Sequence, residues 1–166
     1  MWVGSHGGGL AALDTETGAL RFWRHEPGRE GSLTENMVIA LLSDRAGALW
    51  IGTWGGGLNR LSPAAQQYAA PGGAEFPPRD LRGRSVTCLL HDHLGEMWVG
   101  TRTGYLLRLD PETGRSETVF RGGHEGISRL LLSLVEDPLG RLSTGMSGTR
   151  RRLDRDLHGQ GRLQER

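Results

Sequence analysis

Trp-Val-Gly-Ser at 2–5, Trp-Ile-Gly-Thr at 50–53 and Trp-Val-Gly-Thr at 98–101 are one motif written three times, and Trp2, Trp50 and Trp98 stand 48 residues apart. A fixed period of this length marks a repeat array, in which one supersecondary unit recurs and buries its apolar face on its neighbours. A residue that returns in register is therefore read as structural. By this rule Trp2, Gly4, Trp50, Gly52, Trp98 and Gly100 belong to the scaffold, as does Gly145 in a weaker fourth copy.

The two best copies define the unit. Each opens with an apolar run (Val38–Ser43, Val86–His91) and turns at Asp-x-x-Gly (Asp44–Gly47, Asp92–Gly95). The Trp-x-Gly element follows, then a second turn, then another apolar run (Leu58–Leu61, Leu106–Leu109). Short β-branched and aromatic runs punctuated by Gly and Asp read as strands, and no stretch sustains a 3.6-residue period between helix caps. We assign four strands per unit, A to D, with D at Leu20–Trp23, Gln67–Ala69 and Glu117–Phe120. Strand A is apolar on both faces and is expected to be buried on both. In strand B the tryptophan and the glycine share a face, and the glycine leaves room for a close neighbour. Glycine is 27 of 166 residues, about twice the usual share of about 7%, and the excess falls in these turns.

A four-stranded unit of this length fits a β-propeller blade. The expected fold class is all-β: a partial β-propeller of about 3.5 four-stranded antiparallel blades, the ring not closed. Residues 1–26 form a partial blade (strands B to D), and 36–70 and 84–121 form whole blades. Residues 127–154 form a degenerate partial blade (strands A to C) with Ser143 in the tryptophan position, and 155–166 form a disordered tail without a strand pattern. Seven such units need roughly 340 residues, so the chain reads as about half a ring and a fragment of a larger protein.

Ser32-Leu33-Thr34-Glu35-Asn36, Asp44-x-x-Gly47, Leu49–Thr53, Gly56-Gly57-Leu58 and Arg60-Leu61 closely resemble the regulator-propeller repeat of bacterial two-component and hybrid histidine-kinase sensors. Phe22-x-Arg24-His25-Glu26-Pro27 resembles that family's strand D and the linker after it. The resemblance covers roughly residues 2–121 and, more weakly, 127–154. It implies a ligand-sensing or interaction module of a two-component receptor, without catalysis of its own and in a periplasmic or extracytoplasmic position. The parent would be a histidine kinase or a diguanylate cyclase. The implied partners are a small molecule or glycan, bound through the intact propeller, and the missing blades of the parent chain.

In propellers the D–A and B–C loops share one rim. Here His6, Trp54, Arg102 and Tyr105, with the 24–36 and 70–85 connections, break the repeat while the turn glycines keep it. Variation on a fixed scaffold is where loops carry binding. These four residues are the candidate ligand or partner contacts.

Other patterns carry less. His6-Gly7-Gly8-Gly9 matches a lipase oxyanion loop, but Trp54–Gly57 fills the same place one repeat later and there is no Gly-x-Ser-x-Gly elbow. His91-Asp92-His93 has no further ligand at a diagnostic spacing and reads as a solvated turn. Asp14/Glu16 and Asp110/Glu112 lie in turns, where no apolar pocket separates their pKa values. No catalytic, cofactor-binding or metal residue is assigned. Ala12-x-Asp14-x-x-Thr17-Gly18, followed by Trp23, resembles the tryptophan-docking repeat of quinoprotein propellers. A fragment of a quinoprotein-like or lyase propeller enzyme is therefore the alternative. A net charge of +1 and a basic run (Arg150–Arg152) without aromatic platforms argue against nucleic acid as a partner. There is no run of 18 apolar residues to span a membrane. The single cysteine, Cys88, permits no intrachain disulfide and reads as a small buried hydrophobe.

Overall fold

The computed structural model of the chain describes residues 1–62, 79–121, 130–147, 149–155 and 161–165. The strand expected at Gln67–Ala69 lies outside the described residues. The chain divides into two compact units, Met1–Val86 and Thr87–Arg166.

The first unit holds two antiparallel sheets in chain order, β1 (Trp2–Gly4), β2 (Leu10–Leu13) and β3 (Leu20–Trp23), then β4 (Val38–Ser43), β5 (Leu49–Thr53) and β6 (Gly57–Leu61). The second unit takes β7 (Val86–His91), whose first residue closes the first unit, with β8 (Met97–Thr101), β9 (Leu106–Leu109) and β10 (Ser116–Phe120) as a four-stranded sheet. A last sheet follows, made of β11 (Leu131–Glu136), β12 (Leu142–Met146), β13 (Thr149–Arg155) and β14 (Gly161–Glu165). Among the described residues no sheet closes on itself. The fold is all-β, and β1 to β12 fall where the Gly and Asp punctuation puts them.

Strand B is the buried element. β5 and β8 are buried along their whole length, with Trp50 and Trp98 as their second residues. The expectation that strand A is covered on both faces is corrected: β4 and β7 are only half-buried, and Ile39 is exposed. β4 and β7 are edge strands of their sheets, with a ladder partner on one side, whereas β5 and β8 lie inside.

A turn aspartate fixes each buried tryptophan. Asp44 Oδ2 accepts the indole N–H of Trp50 at 2.8 Å while its Oδ1 accepts the N–H of Ala48 at 2.8 Å. Asp92 does the same for Trp98 at 2.7 Å and for the N–H groups of Leu94 and Glu96 at 2.9 and 3.0 Å. The glycine two residues after each tryptophan receives the next strand A. A Cβ on Gly52 would lie 2.8 Å from Val86 Cγ1 and 3.0 Å from the Val86 carbonyl oxygen. On Gly4 it would lie 2.5 Å from Val38 Cγ1, and on Gly100 it would strike Cys88 Sγ and come within 3.5 Å of Leu131. The apolar clusters follow: Leu10, Leu33, Val38, Leu49, Ile51 and Leu61 in the first unit, and Cys88, Trp98, Leu106, Leu131, Leu134, Leu142 and Met146 in the second.

Trp2 departs from its repeats. It is 37% exposed, and its ring packs at 50° against Trp23 with centroids 5.2 Å apart. The fourth copy also departs from expectation. It has four strands rather than three, because β14 pairs along β13 from Arg151↔Glu165 to Arg155↔Gly161. The stretch expected to be a tail thus forms a strand. A backbone ladder needs no apolar alternation, and 161–165 carries one apolar residue, Leu163, so no pattern announces it. The turn before β13 is one residue shorter than in the second copy, since Met146 pairs with Thr149 where Thr53 pairs with Gly57. Leu153 therefore arrives early.

Removing the carboxylate of Asp92 strands a buried indole N–H. Asp92→Ala is expected to lower the unfolding free energy by about 2–3 kcal/mol in urea titrations. A double-mutant cycle with Trp98→Phe is expected to return a coupling of about 1 kcal/mol or more.

Candidate functional site

The rim forms where each D–A connection is bolted to the preceding B–C turn. Asn36 O accepts the N–H groups of Gly7 and Gly9 at 3.3 and 2.9 Å. One period later, Arg84 O accepts the N–H of Gly57 at 3.0 Å, and Ser85 Oγ accepts that of Gly55 at 3.1 Å. The two loop classes thus share a rim in the first unit. Met37 brings two candidate residues together there. Its backbone bridges to exposed His6, and its carbonyl accepts the N–H of Trp54 at 2.9 Å. The Trp54 side chain is 40% exposed.

The 24–36 connection is less free than a drifting loop. Leu33 is buried, and Thr34 exchanges two hydrogen bonds with Asn59, N–H to Oδ1 at 3.0 Å and Nδ2 to Oγ1 at 2.8 Å. His25 donates its N–H to Asn36 Oδ1 at 2.8 Å, and its Nδ1 donates to Leu33 O at 2.6 Å. Arg24 opens the 24–36 connection expected on the rim. Its Nε donates to Gly8 O at 3.3 Å, and its guanidinium stands 5.6 Å from the Phe22 ring centroid. Its signal lay in the Phe22-x-Arg24 motif itself.

In the second unit, exposed Arg102 and half-buried Tyr105 share the β8–β9 turn. That turn is closed by Tyr105 O accepting the N–H of Thr101 at 2.9 Å and by Thr101 Oγ1 accepting that of Tyr105 at 3.0 Å. The four candidate residues therefore form two pairs, His6 with Trp54 and Arg102 with Tyr105. Residues 70–78 of the second connection lie outside the described residues.

The solvated-turn reading of His91-Asp92-His93 is corrected. Asp92 is buried under Trp98, and His93 Nδ1 meets Glu136 Oε1 at 2.5 Å while its N–H reaches Glu136 Oε2 at 2.9 Å. The turn ties the third sheet to the fourth. Three other turn carboxyls sit below their ordinary range. For Asp14 the causes are the N–H groups of Thr17 and Glu16, and for Asp110 they are the Thr113 hydroxyl and the N–H of Glu112. For Asp137, desolvation works the other way and is outweighed by the N–H and guanidinium of Arg141. Burial pushes the Cys88 thiol up to about 11. All four shifts run away from neutral pH, so none of these groups is tuned to exchange a proton there.

Residues 32–55 and 80–103 match the family model of the two component regulator propeller. Two stretches of the chain, 48 of its 166 residues, are thus similar to that repeat. The two matched stretches begin one period apart and hold buried Leu33 and Leu81 at equivalent places. No curated protein matches the chain in sequence. Among solved structures, it is similar to the extracellular domain of the proposed hybrid two component system BT4673 from B. thetaiotaomicron, with TM-score 0.76 and 23% identity over 99% of this chain and 20% of that one. It is also similar to that of BT3049 from the same organism, with TM-score 0.74 and 19% identity over 97% and 21%. The virginiamycin B lyase of Staphylococcus aureus follows with TM-score 0.66 and 8% identity over 99% and 54%. These likenesses show the β-propeller fold. The chain spans about a fifth of the two-component extracellular domains it matches.

The depressed turn carboxyls give a pH signature. A carboxyl whose folded pKa is lowered contributes stability above its unfolded value and loses it as pH falls through the folded value. Thermal melts are expected to fall modestly below about pH 4 for the native chain, because these three carboxyls face solvent. Asp110→Asn is expected to flatten that fall.

Proposed function

We propose that the chain is part of the ligand-sensing propeller of a bacterial two-component receptor, in an extracytoplasmic position. Its rim contributes to binding a small molecule or glycan, and its open blade faces pack on further blades of the parent. The observation that supports this reading is the pairing of His6 and Trp54 on the Met37 backbone. Non-repeating side chains are held there by hydrogen bonds that do repeat, Asn36 to Gly9 and Arg84 to Gly57. Irregular polar and aromatic groups on a regular frame suit recognition rather than bond chemistry.

In this reading the chain supplies recognition, and phosphotransfer or cyclase chemistry belongs to other domains of the parent. The sensor reading is preferred to a lyase because the repeats match the regulator-propeller model at two places, whereas the lyase likeness is one of fold. Trp54→Ala combined with Arg102→Ala, in the intact receptor, is expected to cut the ligand response at least ~10-fold, a loss of about 1.4 kcal/mol of binding. Both sites are exposed, so the melting temperature of the variant is expected to stay within a few degrees of the parent. An undiminished response defeats the rim assignment. The purified 166-residue chain is expected to take up no label from labelled ATP.

A further inference from the structure

One scaffold position breaks its period in a way that opens space. Ala12, Arg60 and Arg108 occur 48 residues apart, each the ladder partner of its repeat's tryptophan: Trp2↔Ala12, Trp50↔Arg60 and Trp98↔Arg108. Arg60 lays its guanidinium over the Trp50 ring at 5.3 Å, and Arg108 is held by Glu117 at 2.8 Å and Glu96 at 3.3 Å. Where those two arginines fill the face of the sheet, Ala12 stops at Cβ. A cleft of about 650 Å³ opens at this point between the two sheets of the first unit. It is reached beside the β2–β3 turn, at the other end of the strands from the rim that holds His6 and Trp54.

The cleft has a consistent chemistry. One wall is the tilted pair of Trp2 and Trp23, the opposite wall is Leu49 and Leu61, and Arg21 stands across the ladder from Ala12. Two indoles and two leucines favour a flat apolar ring, which gains most from offset or edge contacts with indole. The lining guanidinium of Arg21 suits a planar carboxylate, which it can grip through two N–H groups, and it repels a cation. Asp14, also in the lining, turns its Oδ1 to the N–H groups of Glu16 and Thr17 in its own loop. The volume lies within the usual range for small-ligand sites, about 300–1,000 Å³. We propose that this cleft is a binding site for small aromatic carboxylates, separate from the rim.

The test titrates the purified chain with phenylacetate and follows the indole N–H resonances of Trp2 and Trp23, with calorimetry for affinity. Phenethylamine (a similar ring with the opposite charge) and glucose serve as competitors. Phenylacetate is expected to shift both resonances and to bind at least ~10-fold more tightly than either competitor. Ala12→Leu, which fills the cleft without adding charge, is expected to weaken phenylacetate at least ~10-fold. Arg21→Gln, at an exposed position, is expected to weaken phenylacetate and to narrow its advantage over phenethylamine. The proposal is overturned if phenylacetate shifts neither resonance, if phenethylamine or glucose binds as well, or if Ala12→Leu binds like the parent. Should Ala12→Leu unfold, Arg21→Gln decides: unchanged selectivity between the acid and the amine rejects the site.

Discussion

The hydrogen bond from a tryptophan indole to the turn aspartate six residues before it is the constraint on which the second and third sheets depend. It joins three requirements in one carboxylate. The turn between strands A and B needs acceptors for its inward N–H groups, and one oxygen of Asp44 or Asp92 supplies them. A buried indole needs an acceptor, since a stranded N–H costs about 1–3 kcal/mol, and the other oxygen supplies that. The glycine two residues beyond the ring receives the next strand A. Docking of one sheet on the next is thus set by a local turn.

Much of this was legible in the chain because repetition removes ambiguity. The strands of the second and third copies, their turns and the burial of Trp50 and Trp98 follow from the 48-residue period and two-residue alternation. The indole bond itself was not legible, because Asp at a turn has a sufficient local explanation and nothing in the spacing names a second partner. Strand A was misjudged for a different reason. Apolar content reports what could be buried, and β4 and β7 are covered over only part of it. β14 was hidden because its pairing is made by backbone, which composition does not record.

The candidate rim was legible in kind but not in arrangement. Departure from the repeat singled out His6, Trp54, Arg102 and Tyr105, yet only the Met37 backbone shows why the first two meet. Arg24 was placed on the rim only as part of the 24–36 connection, because it conforms to a motif instead of breaking one. The same logic, turned around, exposes Ala12. A small residue draws no attention alone, and becomes informative only when Arg60 and Arg108 show what its position normally holds. In a repeat protein a deletion of side chain can be as telling as an added one.

The fourth sheet shows how far the clamp can be altered. Asp137 keeps its place and its turn bonds, to the N–H groups of Leu139 and Arg141 at 2.9 and 3.0 Å. With Ser143 where the indole would stand, Arg141 Nε takes the second oxygen at 2.6 Å. The electrostatic half of the clamp therefore survives. The apolar half does not, because the Arg141 side chain is 41% exposed and covers no neighbouring sheet as a buried indole would. An exposed ion pair contributes about 0–1 kcal/mol, against about 3–5 kcal/mol for a buried large aromatic. The turn is kept and most of the adhesion is lost. What remains is held by Leu131, Leu134, Leu142 and Met146 against Trp98 and Leu106, so the third sheet's tryptophan stabilises the fourth sheet in place of one of its own.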